Sequence, residues 1–195
     1  MNRLIIVRHA ERPDISPTAV GNDVLLTEKG KAESRLFGEK VEQPVLSIKT
    51  SPIGRCRQTA EIIADATQFS VSKIENSILL GDPGFMIDNA ELAWMHWVDK
   101  GHESVNQHLI SGSQKWSGFV DLESAVNTVK KEIQTVLMDN TKGTHVWVTH
   151  DTVLATLASR LLPQNITLEQ WPEFLGYLDI TLSKDLNLLL NYQAS

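Results

Sequence analysis

The sequence predicts an α/β protein: a three-layer sandwich with a mostly parallel sheet, helices on both faces and a late antiparallel edge strand. Three observations lead there. Short β-rich runs alternate with helix-period segments along most of the chain. The first run, LIIVR at 4–8, is continuously apolar, as in a strand buried on both faces. The last two runs, YLDITLS and NLLLNYQ, follow each other without an intervening helix and so pair at a sheet edge. The 195 residues fit a single domain, 1–195, with 83–120 as a candidate cap insertion.

After the first strand, 12–24 holds Pro, Gly, Asn and Asp and reads as a loop. Thr27 suits the N-cap of a helix that places Ala32, Leu36 and Val41 on one face. Gly30 falls in its first turn, where a close backbone or ligand would leave no room for a side chain. A second strand follows at 45–51, a second helix at 54–67 with Ala60, Ile63 and Ala64 spaced for packing, and a short third strand at 70–75. Leu122, Val126, Val129, Ile133 and Leu137 recur at spacings of three and four, the clearest amphipathic helix in the chain. A strand at 144–150, a helix at 152–162 and the two final strands complete the pattern.

Composition narrows the function. A net charge of −6 disfavours bulk binding to nucleic acid or to an anionic membrane, though a local basic pocket remains compatible with it. Cys56 is the single cysteine, so neither an intrachain disulfide nor a cysteine-based metal cluster is expected. The N-terminus lacks the apolar core of a signal peptide, and no run approaches the ~18 apolar residues of a membrane span. The expectation is a cytoplasmic protein.

In open α/β sheets, ligands bind outside the carboxyl ends of the strands. The first strand ends at Arg8 and His9, the second at Ser51 and runs into Arg55, and the late strand ends at His150 and Asp151. Two histidines and two or three arginines gathered at one edge suit a phosphoryl group. Guanidinium forks match its oxygens and stay charged. A neutral imidazole can attack phosphorus, and a carboxylic acid must then protonate the leaving oxygen. Asp151, beside His150, is the nearest carboxyl in sequence.

These residues resemble the motifs of the histidine phosphatase superfamily, the phosphoglycerate mutase-like group. RHAER at 8–12 is similar to its RHG motif, with Ala10 where glycine is usual. LTEKG at 26–30 resembles the helix start that follows. SPIGRCRQTA at 51–60 resembles the second arginine motif, and THDT at 149–152 carries the second histidine. The matches run in order from residue 4 to about residue 160. The resemblance implies His9 as nucleophile, with Arg8, Arg55 and His150 as the phosphate pocket. It implies neither a metal nor another cofactor.

The acid is assigned by comparing branches. The mutase-like branch takes its donor from a Glu-rich stretch before a Gly-Trp-Glu-Gly type motif, which SILLGDPGFMID at 77–88 lacks. The acid phosphatase branch uses a His-Asp pair, often His-Asp-Thr, and an arginine three residues after its nucleophile. His150-Asp151-Thr152 and Arg12 match both features. Asp151 is therefore the favoured acid, with Asp82 and Glu11 as alternatives. Plainer roles stand beside these: Asp151 as a helix cap, Asp82 as a turn residue, and Cys56 as a small packed side chain. Segment 83–120, with Trp94, Trp97 and Trp116, reads either as a cap that selects the substrate or as packed core.

The expected activity is metal-independent hydrolysis of a small-molecule phosphate ester through a phosphohistidine. The alternatives are a phosphomutase, a protein phosphohistidine phosphatase and, outside enzymes, a phosphate-binding regulatory module.

Overall fold

A computed structural model describes residues 2–16, 19 and 21–195. The elements run β1 (Arg3–Arg8), α1 (Glu28–Glu39), β2 (Val45–Thr50), α2 (Gly54–Ala66), β3 (Glu75–Asn76), α3 (Ala90–Ser111), α4 (Leu122–Leu137), β4 (Thr144–Thr149), α5 (Asp151–Leu161), β5 (Tyr177–Leu182) and β6 (Leu188–Gln193). They form one six-stranded sheet in the order β3-β2-β4-β1-β5-β6. The β3-β2-β4-β1 pairs are parallel, while β5 runs antiparallel to β1 and β6 antiparallel to β5. This is the predicted architecture.

The two central strands carry apolar side chains to both faces. Leu4, Ile6 and Trp147 pack with α3, α4 and α5, whereas Ile5, Val7, Val146 and Val148 pack with α1 and α2. Helix α4 buries the whole predicted stripe from Leu122 to Leu137, and Asp121 caps it by accepting from the Ser124 N–H. Segment 83–120 gives Met86, Ala93, Val105, Leu109 and Phe119 to the same core, and leaves Leu92, Met95 and Val98 exposed on the first half of α3. Gly101, at φ 77°, divides α3 in two.

Two local expectations need correction. The face of α1 that packs is Gly30, Ser34 and Gly38, while Leu36 is 56% exposed. Small residues win there because α1 and α2 approach closely: a Cβ on Gly38 would lie 2.8 Å from the Ala66 Cβ. The third strand does not span 70–75. Val71–Lys73 forms a 3₁₀ turn, closed by the Lys73 N–H to the Ser70 carbonyl. Only Glu75 and Asn76 pair with β2, since VSK supplies no apolar alternation to hold a longer edge. Of the loop predicted at 12–24, residues 17, 18 and 20 lie outside the described residues.

Register brings the strand ends together. Arg8 is level with Thr149, and Thr50 with Val148. The ladder continues one residue further, with the His9 N–H on the Thr149 carbonyl at 2.8 Å and the Ser51 N–H on the Val148 carbonyl at 3.0 Å. His9, Ser51 and His150 therefore leave the sheet side by side. No helix among the described residues is long and apolar enough to cross a membrane.

Candidate active site

His9 is 2% exposed, and its ring meets that of His150 edge-on at 5.5 Å between centroids. Its tautomer follows from its partners. Nδ1 lies 2.8 Å from the Ala10 carbonyl, an acceptor, so Nδ1 carries the proton. Nε2 faces the Arg55 Nε–H at 3.1 Å, a donor, so Nε2 keeps its lone pair. Burial, His150, Arg8 and Arg55 hold the imidazole pKa well below its usual value. His9 is thus a neutral base whose electron pair is on Nε2, where it accepts from Arg55.

Arg55 stands in the first turn of α2. Beyond His9 it donates to the Gly21 carbonyl at 2.8 Å and approaches His150 Nδ1 at 3.4 Å. His150 Nε2 meets Ser51 Oγ at 2.9 Å. With a guanidinium at Nδ1, the His150 proton resides on Nε2 and is donated to Ser51. Burial and Arg55 push the His150 pKa down to about 3. Gly81 closes this side: a Cβ there would lie 2.6 Å from His150 Nε2 and 2.7 Å from Ser51 Oγ, and its φ is 146°.

Arg8 is turned toward the C-terminal part of the chain. It donates to the Pro172 carbonyl at 2.7 Å, lies 3.4 Å from Asp151 Oδ2, and sits 4.3 Å above the Phe174 ring centroid. Asp151 is the first residue of α5 and not its N-cap, a position that His150 holds without a side-chain bond. Its Oδ1 accepts the Thr152 N–H at 2.9 Å, so the carboxylate sits at the positive end of the helix. Oδ2 also receives the Trp171 indole N–H at 3.3 Å. Burial raises the Asp151 pKa, but the Arg8 charge and the Trp171 N–H outweigh it and hold the carboxyl below its usual value. Arg12 reaches the same cluster, with its guanidinium 6.0 Å from the Phe174 centroid. The Nε–H groups of Arg8 and Arg12 are buried without a hydrogen-bond partner among the described residues. Two unpaired cationic donors beside a neutral nucleophile form a site for an anion.

The structure thus brings together Arg8, His9, Arg12, Arg55, His150 and Asp151. Asp82 is exposed at φ 65°, one residue beyond Gly81. Glu11 points to the start of α1 instead, bonded to Lys29 and to Thr27 Oγ1. There Thr27 caps the helix by accepting from Gly30, and a Cβ on Gly30 would lie 2.9 Å from the Glu11 nitrogen. Cys56 is buried, with its thiol pushed up to about 12 by burial. Its sulfur packs 3.5 Å from His150 Nε2.

Sequence reasoning missed Ser51 as a partner of His150, and missed Trp171, Pro172 and Phe174 altogether. The only signal was WPEF at 171–174, two aromatics and a proline just ahead of a strand. Among the described residues, no group of three His, Cys, Asp or Glu side chains could hold a metal ion.

The model of the histidine phosphatase superfamily (branch 1) matches residues 4–182. No curated protein sequence matches the chain. Similar solved structures include mycobacterial glucosyl-3-phosphoglycerate phosphatase Rv2419c (15% identity, TM-score 0.66, covering 99% of this chain and 98% of that one). Phosphoserine phosphatase of Entamoeba histolytica is comparable (16%, 0.66, 99% and 97%), as is the protein histidine phosphatase SixA (18%, 0.60, 98% and 95%). At these identities the structures establish a shared fold. The family match covers nearly the whole chain, so the chain belongs to the histidine phosphatase superfamily and is an enzyme of that family.

Proposed function

We propose that the chain is a metal-independent phosphomonoesterase, acting through a phosphohistidine on a small phosphorylated metabolite or sugar. The observation that carries this reading is the Arg55–His9 contact, which fixes the lone pair of His9 on Nε2 in the cluster that holds the unpartnered Nε–H groups of Arg8 and Arg12. Arg8, Arg12 and Arg55 hold the phosphoryl oxygens, and His150 joins them by turning its Nε2–H from Ser51 Oγ to one of these oxygens. The Arg55 Nε–H shifts from His9 Nε2 to a phosphoryl oxygen, and the Nε2 electron pair so released forms a bond to phosphorus as the bond to the leaving oxygen breaks. Asp151 gives its proton to that oxygen, and the alcohol departs. Water then attacks the phosphohistidine, Asp151 takes its proton, and inorganic phosphate leaves with His9 neutral again.

In the resting protein Asp151 is an ion paired with Arg8. A bound phosphoryl group competes for Arg8 and brings negative charge of its own. Both effects raise the affinity of Asp151 for a proton, so the substrate itself converts this carboxylate into an acid. Two proteins that share this fold are named as phosphatases of glucosyl-3-phosphoglycerate and of phosphoserine, which are small phosphate esters.

A pulse of radiolabelled aryl phosphate, quenched in acid or in alkali, tests the reading. Label should be alkali-stable, acid-labile and absent from His9→Ala. Phosphate release that survives His9→Ala would refute the covalent route.

A further inference from the structure

We infer that Trp171 is a positioning residue: its indole N–H holds the Asp151 carboxyl in line for proton delivery when Arg8 turns to the phosphoryl group. The inference rests on the reading of Asp151 as proton donor.

Asp151 Oδ2 has two partners of different fates. Arg8, at 3.4 Å, is the partner the phosphoryl group draws away. Trp171 Nε1, at 3.3 Å, carries no charge and has no reason to follow. Oδ1 is tied to the Thr152 N–H at 2.9 Å, within the first turn of α5. With Arg8 gone, the Thr152 and Trp171 donors fix one lone pair on each oxygen. The Oδ2 lone pair that had faced Arg8 is then where a proton can sit, on the side the phosphoryl group occupies. Without the indole N–H, only the Oδ1 bond restrains rotation of the carboxyl.

Trp171 is itself held firmly, which a positioning residue requires. Its backbone N–H donates to the Leu168 carbonyl at 3.2 Å. The preceding residue, Gln170, accepts from the Tyr192 hydroxyl at 2.6 Å. Further along, the Glu173 N–H bonds to the Ala194 carbonyl at 2.7 Å, and the Arg8 N–H to the Gly176 carbonyl at 2.9 Å. Leu175 turns the strap at φ 61°, a conformation a leucine keeps only when its surroundings impose it. The indole also packs against the core beside α5.

The test compares leaving groups. p-Nitrophenolate departs with little need of a proton, whereas the alkoxide of glycerol 2-phosphate requires one. The readout is the ratio of kcat on glycerol 2-phosphate to kcat on p-nitrophenyl phosphate. Trp171→Phe keeps an aromatic ring and removes the N–H, and should lower this ratio about tenfold, the worth of one hydrogen bond to a charged group. Asp151→Asn should lower it about a hundredfold or more. A merely structural role for Trp171 would slow both substrates alike, and an unchanged ratio in Trp171→Phe alongside a depressed one in Asp151→Asn overturns the inference. An unchanged ratio in Asp151→Asn instead overturns the donor reading beneath it. An activity-independent check is the ¹³C titration of the Asp151 carboxyl, which should move upward in Trp171→Phe; no movement overturns the inference.

Discussion

Arg55 donates from Nε to Nε2 of His9 across 3.1 Å, and from Nη1 to the Gly21 carbonyl at 2.8 Å. One guanidinium therefore selects the tautomer of the nucleophile and keeps a fork of donors beside it. A lysine at this position has the charge but neither the fixed Nε–H nor the planar fork. Arg55→Lys should lower kcat/KM on p-nitrophenyl phosphate by about 10²- to 10³-fold, as loss of a preorganised donor does elsewhere. A variant within about threefold of wild type would mean that charge alone suffices.

Gly81 bears on the other imidazole. A Cβ there would run into the His150 ring and Ser51 Oγ, and its φ of 146° is one that side chains resist. Gly81→Ala should displace His150, break its bond to Ser51 and lower kcat about tenfold or more while the far side of the sheet stays folded. Steady-state kinetics together with a urea melt separate this local effect from global unfolding.

The sheet and most helices were legible because their signals are local. LIIVR is apolar enough for a central strand, and the stripe from Leu122 to Leu137 faces the core. The strand-end rule gathered Arg8, His9, Ser51 and His150 because parallel register fixes their level. What stayed hidden depends on partners distant in sequence. The packing face of α1 is set by how closely α2 approaches Gly38. The aromatic strap meets Arg8 from 164 residues away, through the Pro172 carbonyl. No spacing rule within one segment encodes either contact.

Ala10 stands where the family pattern favours glycine. It is fully buried, is not among the residues with positive φ, and its N–H bonds to Thr59 Oγ1 at 3.1 Å. Its methyl group therefore sits without backbone strain. Ala10→Gly should leave kcat within about twofold and cost about 1 kcal/mol of stability by loosening the unfolded chain. A large gain in kcat would show instead that the methyl group obstructs the phosphoryl site.

Activity should fall toward alkaline pH when the leaving group is poor. Asp151 must carry a proton in the complex, and its carboxyl starts below its usual value in the free protein. His9 is neutral well below its usual pKa, so the nucleophile imposes no loss at mildly acidic pH. kcat on glycerol 2-phosphate should therefore be higher at about pH 5.5 than at about pH 8, and Asp151→Asn should flatten the profile. Equal wild-type rates at the two values would remove Asp151 as the acid.

Stability should fall on mild acidification, for a different set of groups. His150 is held down at about 3, and His108 at about 4 by burial, Arg160 and His96. His108 is 5% exposed and stacks flat on Trp116 at 3.9 Å. Both imidazoles are neutral in the fold yet take up protons in the unfolded chain below about 6.5. Between the folded and unfolded pKa values the unfolded state binds more protons, so stability rises with pH and is lost as pH falls through that window. At about pH 5 each imidazole should cost about 2 kcal/mol relative to neutral pH. Urea midpoints at the two pH values measure the total. His108→Gln, whatever its absolute stability, should lose about 2 kcal/mol less than wild type over the same interval. An identical loss in the variant would place the acid sensitivity elsewhere.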